Sequence, residues 1–471
     1  MCMVGVAQSV EHLVVAQVVG GSNPLAHPIS PRIMQFRYLL IPLFSLSLFL
    51  TSCPFVSASD VTLGDRNPSG IVQAIQIENL RYTKREIILR ELASRIGEPY
   101  SEDNIKKDIE RLDRLGIFSG VEIHTIRDED GVILDIQVKE TIPYLPAPSL
   151  DKSDEGGFAA GVSFQAINLG GRDIEFVSSA KFGGGTHFEL RTENPWFWGN
   201  HGSYRAQYYF RDRYNELDEF EEISHDFMLQ MGSYIGDKGR IGGRFRLYSL
   251  SSESEGITLS PEGRDIVPTL GLYLGYDSRD FWTYPQRGWW SEFEISKSGG
   301  FLGGLSDFWS FTLDVRRYQP LIGKHSLALY SLATYRTGTV GTDVPVHQDF
   351  HIGGSNTIRG WGSNAQQGKS QFINTAEYRY LLMEPRAFSF KGINVFLGIQ
   401  LAGFGDFGMA WDRADQFRLD NFIHGYGFGL RLLVPFMNVI RIDFALGEQE
   451  QGLRRHIGFD WKPEKQRQRV R

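Results

Sequence analysis

HFELRTE, residues 187–193, sets Phe188, Leu190 and Thr192 against His187, Glu189, Arg191 and Glu193 in strict alternation. Successive side chains of a β-strand point to opposite faces. This segment therefore offers one face to an oily medium and the other to a wet one. The same grammar returns in YRAQYYFR (204–211), where Tyr204, Ala206, Tyr208 and Phe210 oppose Arg205, Gln207, Tyr209 and Arg211. It returns again in VIRIDFAL (439–446), with Ile440, Ile442, Phe444 and Leu446 opposite Arg441 and Asp443. A soluble sandwich can show such alternation. Its extent, segment after segment between Gly/Asn/Asp turns with aromatics near strand ends, points instead to a transmembrane β-barrel. Closure of a barrel removes the edges that lipid would not tolerate.

Strands are expected near 142–150, 159–168, 173–182, 186–194, 203–213, 223–234, 239–250, 268–277, 288–297, 308–319 and 325–336. Five more fall near 370–382, 396–410, 424–434, 438–446 and 455–461. The total of 16 is even, as bacterial single-chain barrels require. The long connection 337–369 separates the eleventh strand from the twelfth.

Before the barrel, residues 71–141 mix periods. IVQAIQIEN reads as a strand with Ile75 and Ile77 on one face. Thr83-x-x-Glu86 has the form of a capping box, followed by Ile88, Leu92 and Ile96 at fourfold spacing. Ser101 opens a second helix with Ile105, Ile109 and Leu112 on one side, and Gly116 ends it. Two more strands follow, the second with Val132, Leu134, Ile136 and Val138 alternating. The order is strand, helix, helix, strand, strand.

The N-terminus carries a secretory signal from Met34, with basic Arg37, an apolar stretch from Tyr38 to Leu50 and a small-residue cleavage site ending at Ala58. Residues 1–33 do not fit such a signal and resemble the spurious translation of a transfer-RNA gene. Leu50-Thr51-Ser52-Cys53 also fits a lipoprotein cleavage box, which leaves lipidation of Cys53 open. The two cysteines, Cys2 and Cys53, both precede Ala58, so the mature chain is expected to hold neither a disulfide nor a thiolate metal site. A net charge of −7, with basic residues scattered among acidic ones, gives no electrostatic case for nucleic acid. No phosphate-binding loop, zinc motif or nucleophile elbow occurs, and no enzyme activity, metal or cofactor is expected.

Four ordered motifs carry a resemblance. ERLDRLGIFSGVEI followed by LDIQVKET, with Leu112, Leu115, Gly116 and Phe118 at the helix-to-strand corner, resembles a POTRA domain, the periplasmic module of outer-membrane assembly proteins. DSRDFWTYPQRGWW (277–290) resembles a turn motif of the BamA and TamA superfamily of barrel assembly proteins. FHIGGSNTIRGW is similar to that family's sixth-loop signature, here Ile358-Arg359-Gly360-Trp361, and FGDFGMAW contains its companion Phe404-x-Asp406-x-Gly408.

The resemblance implies a bacterial outer-membrane location with the POTRA-like domain in the periplasm. Loop 337–369 then becomes the sixth extracellular loop, folded back into the lumen. Its Arg359 would meet Glu377 and Asp406 on the inner wall. It also implies a lateral seam between the first and last strands. IPYLPAPSL supplies Pro143, Pro146 and Pro148 to the first strand, although this stretch also reads as a linker. RRHIGFDW places Ile457, Phe459 and Trp461 outward in the last, before a basic tail at 462–471.

The function implied is insertion of unfolded outer-membrane protein clients into outer-membrane lipid, with assembly lipoproteins among the partners the resemblance suggests. Protein translocation across the outer membrane, as in two-partner secretion or a TamA-like transporter, is the alternative, although for two-partner secretion the dozen or so residues between Ala58 and Ile71 are too few for a second POTRA module or a plug helix. A passive porin would need neither the POTRA-like module nor the arginine loop.

Overall fold

The computed structural model describes residues 70–128, 131–153, 157–198, 202–236, 238–280, 285–390, 393–433, 439–447 and 452–458. The leader, the signal segment with Ala58, Phe459, Trp461 and the basic tail lie outside the described residues.

The small domain comprises β1 (Val72–Glu78), α1 (Arg85–Glu91), α2 (Glu102–Arg114), β2 (Phe118–Asp128) and β3 (Gly131–Glu140). The sheet order is β1-β3-β2, with β1 parallel and β2 antiparallel to the central β3. Val132, Leu134, Ile136 and Val138 of β3 are all buried against Ile88, Leu112 and Leu115 from the helical layer. Two local expectations fail. The Thr83/Glu86 capping box does not form: α1 starts at Arg85 behind Lys84, without a side-chain cap. Thr83 instead serves two distant partners, accepting a bond from Asn168 and giving its own amide to the Glu140 carboxylate. The helix also ends at Glu91, so Ile96 falls beyond it and is exposed.

Sixteen strands form one antiparallel sheet. Its first half is β4 (Tyr144–Ser153), β5 (Gly157–Ala166), β6 (Glu175–Gly183), β7 (Gly185–Trp198), β8 (Gly202–Asn215), β9 (Phe220–Ile235), β10 (Gly239–Ser251) and β11 (Arg264–Asp277). It continues through β12 (Gly288–Gly299), β13 (Asp307–Pro320) and β14 (His325–Arg336). A short ribbon, β15 (Phe350–Ile352) with β16 (Gln366–Gly368), lies within the loop that follows. The sheet resumes with β17 (Ser370–Phe390), β18 (Ile393–Trp411), β19 (Ile423–Leu433), β20 (Ile440–Gly447) and β21 (Arg454–Gly458). Each strand pairs with its sequence neighbour in the sheet, β14 with β17 across the long loop. The β17–β18 hairpin runs well past the expected strand end at 382. Two register shifts, at Leu381/Met383 and Met383/Arg386, absorb Pro385, which a regular ladder would not accept.

The two faces differ as the alternation demands. Phe188, Leu190, Leu272, Leu274 and Phe428 point outward and are exposed, as a lipid-facing wall requires. Glu193, Arg205, Arg441 and Asp443 point inward and are buried. Several inward charges are paired: Arg191 with Glu175 at 2.9 Å, Arg246 with Asp226 at 2.8 Å, Arg316 with Asp314 at 3.1 Å. Pairing is what makes buried charge tolerable.

Candidate functional site: a loop latch and a seam

The segment 337–369 leaves β14 and returns to β17 through the lumen side of the late strands. Thr357 ties the loop to itself, accepting the Gly353 amide at 2.8 Å. Ile358 is fully buried with Ile352, Ile373, Ala410 and Ile423. That anchor delivers Arg359, 3% exposed, into a ring of acids.

Arg359 Nε and Nη2 form a two-pronged fork on Asp406 Oδ2 and Oδ1 at 2.7 and 2.8 Å. Its backbone N–H donates to the same carboxylate at 3.1 Å. Nη1 donates to Glu377 Oε2 and to Asp443 Oδ2, both at 3.2 Å. The guanidinium lies 3.3 Å from the centroid of the Phe404 ring, stacked on its face. A planar five-donor group alone among side chains can satisfy such a set. Glu377 also accepts Arg431 Nη2 at 2.7 Å and Arg379 Nε at 2.8 Å, while Asp443 is shared with Arg431. Among the described residues, Arg359 is the cation bonded to Asp406.

The latch therefore spans four strands through charge: β17 (Glu377), β18 (Asp406), β19 (Arg431) and β20 (Asp443). Its backbone adds a fifth, since the Gly360 N–H donates to His456 Nε2 on β21 at 3.0 Å. Trp361 Nε1 donates to the His424 carbonyl at 2.7 Å, clamping the loop to β19.

Space for this approach is made by glycines. Gly360 has φ +94°, and a Cβ there would lie 2.5 Å from the Leu446 carbonyl carbon. Along β19, a Cβ at Gly425 would lie 1.8 Å from the Arg359 oxygen. One at Gly427 would lie 2.0 Å from the Phe444 oxygen and 2.9 Å from the Phe404 ring, and one at Gly429 would lie 1.9 Å from Asp443 Oδ1. Gly408 is bounded by the Phe372 oxygen and by Ile358. The structure thus brings together Ile358, Arg359, Gly360, Trp361, Glu377, Phe404, Asp406 and Gly408. Sequence reasoning missed Asp443, Arg431, Arg379 and His456 as members. The signal for this strand was present in HGYGFGLRLL, where Gly425, Gly427 and Gly429 recur with period two on the lumenal face, ahead of Arg431.

The other predicted feature is the seam. β4 pairs with β5 in the register Tyr144↔Ala166, Pro146↔Phe164 and Pro148↔Val162. The Ile167 N–H donates to the Pro143 oxygen at 3.0 Å. Bonded and non-bonded pairs alternate along an antiparallel ladder. Positions 143, 145, 147 and 149 consequently address β5, while 144, 146 and 148 address the opposite edge. Proline has no N–H to give. Pro146 and Pro148 therefore leave the β5 ladder intact and remove two donors from the edge facing away from it. At the far end of the sheet, β21 pairs with β20 alone, and no ladder joins β4 to β21 among the described residues. Trp461, expected at this seam, lies outside the described residues.

The Omp85 superfamily domain matches residues 168–461, and the POTRA family described as a surface antigen variable number repeat matches residues 70–141. The outer membrane protein assembly factor BamA of Nitratidesulfovibrio vulgaris is 24% identical over 388 residues, covering 74% of this chain and 45% of that protein. The chain thus spans less than half the length of that relative. Among solved structures, BamA from Haemophilus ducreyi lacking POTRA domains 1–3 aligns with TM-score 0.54 and 15% identity over 83% of each chain. CdiB from Acinetobacter baumannii aligns with TM-score 0.52 and 13% identity, over 83% of this chain and 72% of that one. These likenesses are of fold. With the Omp85 model matched over 168–461 and the POTRA model over 70–141, the chain belongs to the Omp85 superfamily, as an outer-membrane β-barrel protein with a periplasmic POTRA domain.

Proposed function

We propose that this protein is an outer-membrane protein insertase. Its POTRA domain receives unfolded barrel precursors by strand addition, and the β4/β21 seam admits them into outer-membrane lipid. The observation that carries this reading is the β4 edge, where two of three successive outward backbone positions, Pro146 and Pro148, lack a donor. An edge so depleted closes weakly against the last strand, yet keeps its carbonyls to accept amides from an incoming strand. The exchange is of hydrogen bonds, without covalent catalysis. The Arg359 latch serves it by holding β17–β20 as a firm wall and touching β21 at His456, so that only the β4 side yields.

The test is depletion of the protein in the producing bacterium. Loss of folded porins from the outer membrane is expected. Normal porin levels, with loss of a single exported surface protein, would replace insertion by translocation.

A further inference from the structure

Asn168 and Asp173 are 4% and 1% exposed although they belong to a periplasmic turn, the one joining β5 to β6. The burial comes from the POTRA domain. Asn168 Oδ1 accepts the Asp173 N–H at 2.7 Å, while its Nδ2 donates to Thr83 Oγ1 at 2.9 Å. The Gly171 carbonyl accepts the Lys84 N–H at 2.9 Å. One helical segment further on, Arg90 Nη2 reaches Asp173 Oδ2 at 3.2 Å, with its guanidinium 4.8 Å over the Trp196 ring of β7. Thr83 is also bonded through its backbone to Glu140, the last residue of β3, so the contact is braced from inside the POTRA sheet.

Contacts at Thr83 and Lys84, just ahead of α1, and at Arg90 in its last turn bracket the helix and meet two barrel hairpins. A single contact would leave the domain free to swivel about its covalent tether at 141–143; contacts at both ends of a helix do not. We infer that the β5–β6 turn is a docking key that holds the POTRA domain in one orientation beneath the seam-side strands, with Asn168, Asp173 and Arg90 as positioning residues. Client delivery from that fixed orientation rests on the insertase reading; the docking itself does not.

Two adjacent glycines separate docking from turn strain. Gly171 has φ +70° and Gly170 has φ +63°, so an alanine is equally unwelcome at either as regards backbone conformation. A Cβ at Gly171 would lie 1.9 Å from the Tyr82 carbonyl oxygen of the POTRA domain, whereas one at Gly170 meets nothing within 4 Å.

The experiment places spin labels at Lys107 on α2 and at Ile322, which is 91% exposed in another periplasmic turn, in the full chain in lipid bilayers. Pulsed electron–electron distances are recorded for the parent, Gly170→Ala and Gly171→Ala, each checked for a heat-modifiable folded barrel. The parent and Gly170→Ala should give one narrow distribution, and Gly171→Ala one at least twofold broader or displaced. A broad parent distribution, or a Gly171→Ala distribution as narrow as the parent's and at the same distance, overturns the docking. Insertion of an unfolded porin into the same vesicles should be several-fold slower for Gly171→Ala than for Gly170→Ala. Equal rates despite a broadened distribution overturn the positioning role. Insertion by none of the three proteins overturns the insertase reading, while the distances still decide the docking.

Discussion

Replacing Arg359 by alanine removes the one cation bonded to Asp406 among the described residues and leaves that carboxylate sealed in the wall. Glu377 and Asp443 keep Arg431, and Glu377 keeps Arg379, so the loss concentrates on Asp406. Stranding one member of a buried pair costs about 3–5 kcal/mol. At 1.4 kcal/mol per tenfold, that corresponds to roughly a hundred- to several-thousand-fold shift of the loop from latched to free. The assay is a double-mutant cycle on the urea midpoint for loss of the heat-modifiable band, using Arg359→Ala, Asp406→Ala and both together. The double variant should be less damaged than the sum of the singles by more than ~1 kcal/mol, because the stranded charge is gone. Arg359→Lys should behave nearer to alanine than to arginine, since an ammonium cannot fork onto Asp406 while reaching Glu377 and Asp443. Additive effects, or a lysine variant as stable as the parent, would refute the latch.

Restoring the edge donors with Pro146→Val plus Pro148→Val should close the seam more firmly by about 1–3 kcal/mol, at ~0.5–1.5 per hydrogen bond. Client insertion into vesicles should slow roughly 5- to 150-fold; an unchanged rate would reject the assignment of these positions to the free edge. Gly425→Ala, whose Cβ would lie 1.8 Å from the Arg359 carbonyl oxygen, should expel the loop and expose it to external trypsin. Gly403→Ala, with nothing within 4 Å, should leave the cleavage pattern of the parent. Burial pushes the Glu140 carboxyl up, but bonds from Thr83, Arg81 and Tyr82 outweigh it and hold its pKa below the usual 4.5. Its stabilisation of the POTRA domain is therefore present above the ordinary carboxylate range and lost as pH falls through the lowered value. Glu140→Gln should flatten acid unfolding of that domain below the ordinary carboxylate range, as followed by amide exchange at residues 81–83.

The strands were legible because lipid outside and charge inside impose period two on nearly every segment, as in residues 187–193 and 439–446. The loop motif was legible through its resemblance, which located Glu377 and Asp406. Asp443 could not be singled out in the same way: alternation puts it on the wet face but does not say which wet residue lies opposite which. That depends on stagger between strands, seen only in pairs such as Gly429↔Asp443. Thr83 and Glu86 show the converse limit. Their spacing satisfies a local rule, but a partner 85 positions away in sequence, Asn168, claims the hydroxyl.

The bare inner face of β19 has a further consequence. Over its three successive inward glycines the strand has no interior side chains of its own; backbone and ring from elsewhere must supply that surface. β19 reaches its finished form only once the loop written some sixty residues earlier has come down onto it. The C-terminal hairpins and the extracellular loop thus share one interior, and a substitution that dislodges the loop bares the inner face of β19.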